Sequence, residues 1–470
     1  MTATTIDLDG QAARGRDVPL TLEEPAPRVL GWLDQVGLWG NLGVTILAPV
    51  GAAYVLLASP TGERLSFLAA GVAVLVGTLI GSLLIAAAAV PGAQTGAPSM
   101  VLMRGLFGRE LSYLPTTINV VQLFGWTVFE IVVIASAAQQ LLPWHAHRWP
   151  YVIAAGVLTT AMTIRPLGVV RILRRYALVA VAIAATYLFI ELLRQPTPSL
   201  TEGSWSGFWL AADVTIAVAV SWAPLASDYT RHSRSARGAF AGVFVGYSFT
   251  QTVGYLLGLT ALATVVRATD ANLQHDMFAA FLAVPVGWLA FAILVLRELD
   301  ESFADGYSAV VSLQNVWPRV DRRLFAVAVC GLATGGALAL NINDYLDFLT
   351  LLASVLVPLV AVFLVDYFAT RRRRDWDVSA DAPTRAIMLL PWALGFLAYQ
   401  LINPGQVGWW ARGWARIDTW VHVTPRPWMS ASVLSFAVAA LATALLLPLA
   451  RRAGVAGRSL EPDEASAEAG

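Results

Sequence analysis

Charge is what this chain has least of. Only 13% of its 470 residues are Asp, Glu, Lys or Arg, against 57% hydrophobic, whereas a soluble domain carries about 25% charged residues. That excludes an ordinary water-soluble enzyme or binding module. The single cysteine, Cys330, sits in an apolar run, which rules out a disulfide framework and reads as a small buried hydrophobe. The five histidines, His145, His147, His232, His275 and His422, lie in loops or at the ends of apolar runs. Their one close pair offers too few ligands for a metal centre. There is no lysine: all 31 basic residues are arginine, a usage to which we attach no function. These arginines flank apolar runs and form no patch, so nucleic acid is not an expected partner. The stretch before Arg28 has no basic segment followed by an apolar one, so it reads as a disordered tail and not as a cleaved leader.

What the chain does have is long apolar runs. Crossing ~30 Å of hydrocarbon takes roughly 20 apolar residues, and about twelve such spans can be drawn. They cover residues 37–58, 66–90, 113–141, 149–170, 176–193, 207–226, 239–266, 285–313, 324–341, 345–369, 386–402 and 430–449. Arginines of short loops stay on the cytoplasmic side. Even-numbered exits carry Arg104 and Arg109; Arg171, Arg174 and Arg175; Arg231, Arg234 and Arg237; Arg319, Arg322 and Arg323; Arg371 to Arg374; and Arg451 with Arg452. This places both termini in the cytoplasm of a multi-pass plasma-membrane protein. Arg412, Arg416 and Arg426, between spans eleven and twelve, are the exception.

Transporters built from inverted repeats carry interrupted helices at matching positions in the two halves. Span one holds Pro49 and Gly51 near its middle, and span six holds Pro224. Spans one and six are partners in a five-plus-five repeat, so these residues mark expected helix breaks. At membrane depth the backbone groups freed by a break are tolerated only inside protein or beside a wet cavity. Span three sets Gln122, Trp126 and Glu130 at successive i, i+4 positions, hence on one helix face. An indole face with an amide and a carboxylate beside it suits a flat polar ring.

The stretch "VLRELDESFADGYS" places Glu298, Asp300, Glu301 and Asp305 directly after the apolar run Met277 to Leu296. Each acid costs ~2.5 to 3.5 kcal/mol at the bilayer centre, so none faces lipid. The residues alone leave two readings open. Either the span ends at Leu296 and the acids are a solvated loop, or the span starts near Pro285 and carries them at mid-depth. At ~100° per residue, Glu298, Glu301 and Asp305 share a face, Asp300 points away, and Arg297 is placed to pair with Glu301.

Three stretches then resemble the nucleobase:cation symporter-1 family, the permeases of cytosine, purines, allantoin and hydantoins. They are "PGAQTGAPSMVLMRGLFG" with the tryptophan of span three, "SWAPLASDYTRHSR" closing span six, and "PLVAVFLVDYFATRRRR" closing span ten. The likeness covers roughly Trp39 to Arg374. It implies an all-α polytopic membrane protein of the LeuT-type fold with broken helices one and six. It implies a ten-helix core over 31–370, with repeats at about 36–195 and 205–370, and two peripheral helices in 371–452. Tails then fill 1–30 and 453–470. By position, the resemblance implies a substrate site of Gln122, Trp126, Glu130, Ser221, Trp222 and Asp305. It also implies a sodium site that uses helix-one carbonyls near Leu42, Val44 and Thr45 and hydroxyls from span eight. Leu299 and Asp300 stand where those hydroxyls belong, which leaves sodium and proton coupling both open, with Asp300 the candidate ion group.

The function expected is a permease importing a nucleobase-like heterocycle with H+ or Na+, needing no cofactor and no obligate protein partner besides the lipid bilayer. A same-fold carrier of a vitamin precursor or an amino acid is the alternative. An intramembrane magnesium-dependent enzyme is remote, because Asp300 and Asp305 have the wrong spacing for a diphosphate-binding pair and no second acidic stretch exists. A channel is disfavoured because no ring of like charges recurs.

Overall fold

A computed structural model describes residues 28–58, 63–144, 147–164, 166–196, 198–265, 273–317, 320–369, 376–379 and 381–458. The tails expected before Arg28 and after Arg458 lie outside the described residues, as do Arg319 and Arg371 to Arg374. Among the described residues the elements are helical, with only two isolated β-bridges.

Each of the twelve expected spans falls on a helix or an interrupted helix. Span one is α1 (Trp32–Leu42) and α2 (Leu47–Leu56), bent by 66°. Span two is α3 (Phe67–Thr95), and a short helix α4 (Ser99–Phe107) follows it. Spans three to five are α5 (Tyr113–Leu141), α6 (Trp149–Ile164) and α7 (Pro166–Leu193). Span six is α8 (Phe208–Val220), a 3₁₀ turn (Ala223–Leu225) and α9 (Ala226–Thr230). Next come α10 (Ala236–Val265), α11 (Leu273–Ala283), α12 (Gly287–Val316), α13 (Arg322–Ala339) and α14 (Tyr345–Ala369). The chain closes with α15 (Leu389–Ile402), α16 (Gly408–Val421) and α17 (Ala431–Arg458). By length and composition, six helices among the described residues can cross a membrane, or up to seven with the bent pair. α12 is not among the six, because Arg297, Glu298, Asp300, Glu301 and Asp305 interrupt its apolar run.

The first break is not where the proline pattern puts it. The chain leaves helix over Gly43–Ile46, and Pro49 and Gly51 lie inside α2. Proline in a first turn is compatible with helix, because its missing N–H has no intrahelical partner there. Gly51 serves packing: a Cβ there would meet the Tyr255 hydroxyl at 2.6 Å. Pro224 does lie in the interruption of span six, within its 3₁₀ turn.

Both halves of the first broken helix pack on α10, and glycine permits the approach. A Cβ on Gly246 would come within 2.5 Å of the Val36 carbonyl, and one on Gly258 within 2.5 Å of the Pro49 carbonyl. Small residues let membrane helices pack backbone to backbone. α12 lies against α5, α6 and α7, and α8 against α3 and α14. These contacts bring the two interruptions, α5 and α12 to one place.

Polar side chains fasten the periphery. Asp228 accepts the Ser99 N–H at 2.8 Å at the start of α4, and the Ser227 and Thr230 hydroxyls donate to the Ala88 and Ala89 carbonyls of α3. Arg385 grips Asp366 at 2.6 and 2.8 Å and donates to the Gly105 carbonyl at 2.8 Å. Asp213, buried on α8, accepts from the Ser430 hydroxyl at 2.5 Å and from the Ala431 and Ser432 N–H groups at 2.9 and 3.2 Å. It thereby caps the start of α17 from another helix. Leaving buried donors unpaired costs about 1–3 kcal/mol each. Asp213→Ala is therefore expected to lower the melting temperature of the detergent-purified protein by several degrees, with Asp213→Asn recovering part of the loss. An unchanged melting temperature for Asp213→Ala contradicts the docking role.

Candidate functional site

A cavity opens where the two interrupted helices face α5 and α12. Of the residues expected to bind substrate, Trp126, Glu130, Ser221, Trp222 and Asp305 line it. Gln122 does not. It is buried behind the wall, where its amide nitrogen donates to the Ser221 carbonyl at 3.0 Å and to Asn119 at 2.8 Å. The Ser221 carbonyl lies at the interruption of span six, so the Gln122 amide nitrogen satisfies a break, while its Oε1 has no partner. Leu42 and Thr45 of the expected cation set also line the cavity, while Val44 and Asp300 do not.

Aromatic contacts hold the two tryptophans. Tyr345 and Phe348 of α14 meet Trp126 edge-on, at centroid distances of 5.9 and 5.4 Å. Trp39 meets Trp222 edge-on at 6.3 Å and is anchored through its ring N–H to Gln35 at 3.1 Å. Such pairs each contribute about 0.5–1.5 kcal/mol beyond area burial. They restrict ring rotation, so each indole presents a defined surface to the cavity. Tyr247, Tyr345 and Glu301 also line it. Span periodicity did not single out the tyrosines, because one tyrosine on an apolar helix carries no pattern.

The four acids are all buried, within one continuous helix. The in-membrane reading is therefore the structural outcome, and the acids divide by partner. Glu130 and Asp305, both buried, face the same cavity from α5 and α12. Two like charges confined to one buried cavity repel, and a proton on either removes the repulsion. Glu301 pairs with Arg297 at 2.8 Å, as the i, i+4 spacing predicts. Glu298, which sequence reasoning left without a role, reaches the first break. It accepts from the Thr45 hydroxyl at 2.6 Å and the Ile46 N–H at 2.8 Å. Asp300 lies on the other side of Arg297, with an N–O distance of 3.6 Å. The acid at the break is thus Glu298, with Asp300 turned from the cavity, as two residues of helix require.

The cavity volume is about 20 Å³, room for a water molecule or two and far less than a ring needs. Admitting a ring requires the cavity to enlarge. Apolar membrane-length helices around a cavity flanked by two interrupted helices are the arrangement of secondary transporters.

Comparison with known proteins agrees. Residues 24–380 match the family described as "Permease for cytosine/purines, uracil, thiamine, allantoin", and the chain belongs to that family, the nucleobase:cation symporter-1 permeases. It is a transporter and not an enzyme. It is 23% identical over 323 residues to a putative purine-cytosine permease, YxlA, of Bacillus subtilis, covering 64% of this chain and 68% of that one. It is 21% identical over 369 residues to the vitamin B6 transporter TPN1 of Saccharomyces cerevisiae, covering 72% of this chain and 61% of the yeast protein. Among solved structures, it resembles Mhp1, a nucleobase-cation-symport-1 family transporter in a closed conformation with bromovinylhydantoin bound. That match has a TM-score of 0.70 and 16% identity, over 93% of this chain and 97% of Mhp1. A manganese transporter of Eremococcus coleocola aligns at a TM-score of 0.57 and 13% identity, over 94% of this chain and all of the other. At such identities the structural likeness establishes the fold.

The two buried carboxyls of the cavity, Glu130 and Asp305, make a spectroscopic prediction. The infrared spectrum of the purified protein should contain a protonated-carboxyl C=O band that disappears in both Glu130→Gln and Asp305→Asn. A band unchanged in both variants contradicts a shared proton.

Proposed function

We propose that this permease imports a flat nitrogen heterocycle of the nucleobase class (cytosine, a purine, a hydroxymethylpyrimidine, allantoin or a hydantoin) across the plasma membrane. Import is by alternating access, coupled to H+ or Na+, with both termini cytoplasmic and no obligate protein partner. The two five-helix repeats expected over residues 36–195 and 205–370 would supply the two moving halves. The observation that carries this reading is the convergence of Trp126, Glu130 and Asp305 on one cavity. The indole supplies a face for stacking. The two carboxyls supply acceptors for the ring edge, with one donor when a proton is shared. Such an edge favours ligands rich in N–H donors, such as aminopyrimidines and purines, over rings that present mainly carbonyls.

A second reading, a vitamin-type ring, is favoured by the likeness to a vitamin B6 transporter, since a hydroxylated pyridine also presents a flat face and donor groups. An amino acid is poorly served. Its carboxylate would need exposed amides at the start of α2, and the Ile46 N–H is already held by Glu298.

The test is uptake of radiolabelled cytosine, adenine, hypoxanthine, uracil, allantoin and pyridoxine into cells expressing the protein. Stacking of a base on an aromatic ring contributes ~1–3 kcal/mol, and 1.4 kcal/mol is a factor of ten. Trp126→Ala at unchanged expression should therefore weaken uptake of the preferred ring by about 10- to 100-fold. Normal uptake by that variant removes the stacking role. Asp305→Asn brings a permanent donor to the ring edge and should shift preference toward carbonyl-bearing rings such as uracil. An unaltered ranking of substrates contradicts the edge-recognition role.

A further inference from the structure

The break in the first helix exposes two sets of backbone groups: the last carbonyls of α1, at the negative end of its dipole, and the first N–H groups of α2, at the positive end of its own. In broken-helix transporters carbonyl ends of this kind coordinate a coupling cation, and N–H ends receive anionic groups. Here two consecutive residues of α12 meet both ends. The Arg297 guanidinium donates to the Asn41 carbonyl at 2.5 Å, at the end of α1. The Glu298 carboxylate accepts from the Ile46 N–H at 2.8 Å and from the Thr45 hydroxyl at 2.6 Å, at the start of α2. Both side chains are buried, at 3% and 0% exposure.

We propose that the Arg297 guanidinium, with the Glu298 carboxylate next to it in α12, takes the place of a bound metal cation at this break, so that the permease has no sodium site there. The residues present do not fit sodium. The two positions on α12 that the family resemblance assigns to hydroxyl ligands are Leu299, which is apolar, and Asp300, which lies 3.6 Å from Arg297. The Asn41 carbonyl, one residue before the carbonyls expected to serve a metal, already accepts from the guanidinium, which places a fixed positive charge beside them. A sodium ion entering there would have to displace Arg297, which would also orphan Glu301, bound to the same guanidinium at 2.8 Å. The charge that an ion would bring and remove in each cycle is instead fixed to α12, where it ties that helix to both halves of the broken one. Among the two coupling ions left open above, this leaves the proton.

The inference rests on the transporter reading for its meaning, but its test needs no substrate. The full-length purified protein is melted in ~100 mM sodium chloride and in choline chloride of the same ionic strength, since a ligand bound only by the folded state raises the melting temperature. The wild type is expected to melt at the same temperature in both salts, and Arg297→Ala to melt higher in sodium. Arg297→Lys, which keeps a tethered cation, is expected to stay indifferent to sodium. Should Arg297→Ala fail to fold, Arg297→Ala combined with Glu301→Gln removes the orphaned carboxylate and carries the measurement. Sodium-specific stabilisation of the wild type overturns the proposal, as does a folded Arg297→Ala protein that ignores sodium. Either result leaves the substrate reading intact, whereas failure of the uptake panel leaves this proposal standing.

Discussion

Everything in this fold hangs on how the open backbone of the broken first helix is satisfied. An interrupted helix in a membrane exposes groups that lipid cannot pair, and four acids in a neighbouring helix are each costly on their own. The structure sets one problem against the other. Arg297 donates to the Asn41 carbonyl, which also accepts the Val44 N–H, and Glu298 takes the Ile46 N–H of the break, while Glu301 takes the remaining reach of Arg297. With those demands met locally, Asp305 remains to face the cavity opposite Glu130. The carboxyl edge we propose for recognition is thus what remains of a polar helix face after its structural obligations are discharged.

Around this centre the chain separates fastening from recognition. Two of the three motifs that signal the family, "SDYT" and "VDYF", place their aspartates outside the cavity. Asp228 caps α4 and Asp366 holds Arg385. They fasten the helix after span two to the end of span six and the segment after span ten to span ten itself. Several residues that line the cavity come instead from positions outside those motifs: Glu130 on α5, Asp305 on α12, and Tyr345 at the start of α14. Holding the frame with charged fasteners leaves the cavity itself to a few aromatic faces and carboxyls. A change of substrate can then be made there without loosening the bundle.

Much of this was legible in the sequence. Apolar length put each of the twelve expected runs on a helix, six or seven of them long and apolar enough to cross a membrane among the described residues, since crossing a bilayer is a local, one-dimensional requirement. Helical periodicity put Trp126 and Glu130 on one face, and the i, i+4 rule paired Arg297 with Glu301. The failures share a cause. Proline seemed to mark the first break, yet the break falls at Gly43–Ile46, because what stabilises it is a partner about 250 residues away in sequence. The same long-range contact hid the role of Glu298. Gln122 was grouped with Trp126 by face, but its amide nitrogen is engaged by the Ser221 carbonyl. Periodicity tells which residues share a side, and only the packed structure tells which of them reach the cavity.

The central claim is that one set of buried charges on α12 both closes the helix break and leaves a carboxyl edge for a flat ring beside Trp126. A structure of the permease with its preferred heterocycle, solved in sodium-free choline buffer, tests it most directly. The account predicts ring density against the Trp126 indole, with the Glu130 and Asp305 carboxyls at its edge and the Arg297 guanidinium still on the Asn41 carbonyl. A ring bound away from Trp126, or a guanidinium withdrawn from Asn41 in the bound state, would contradict it.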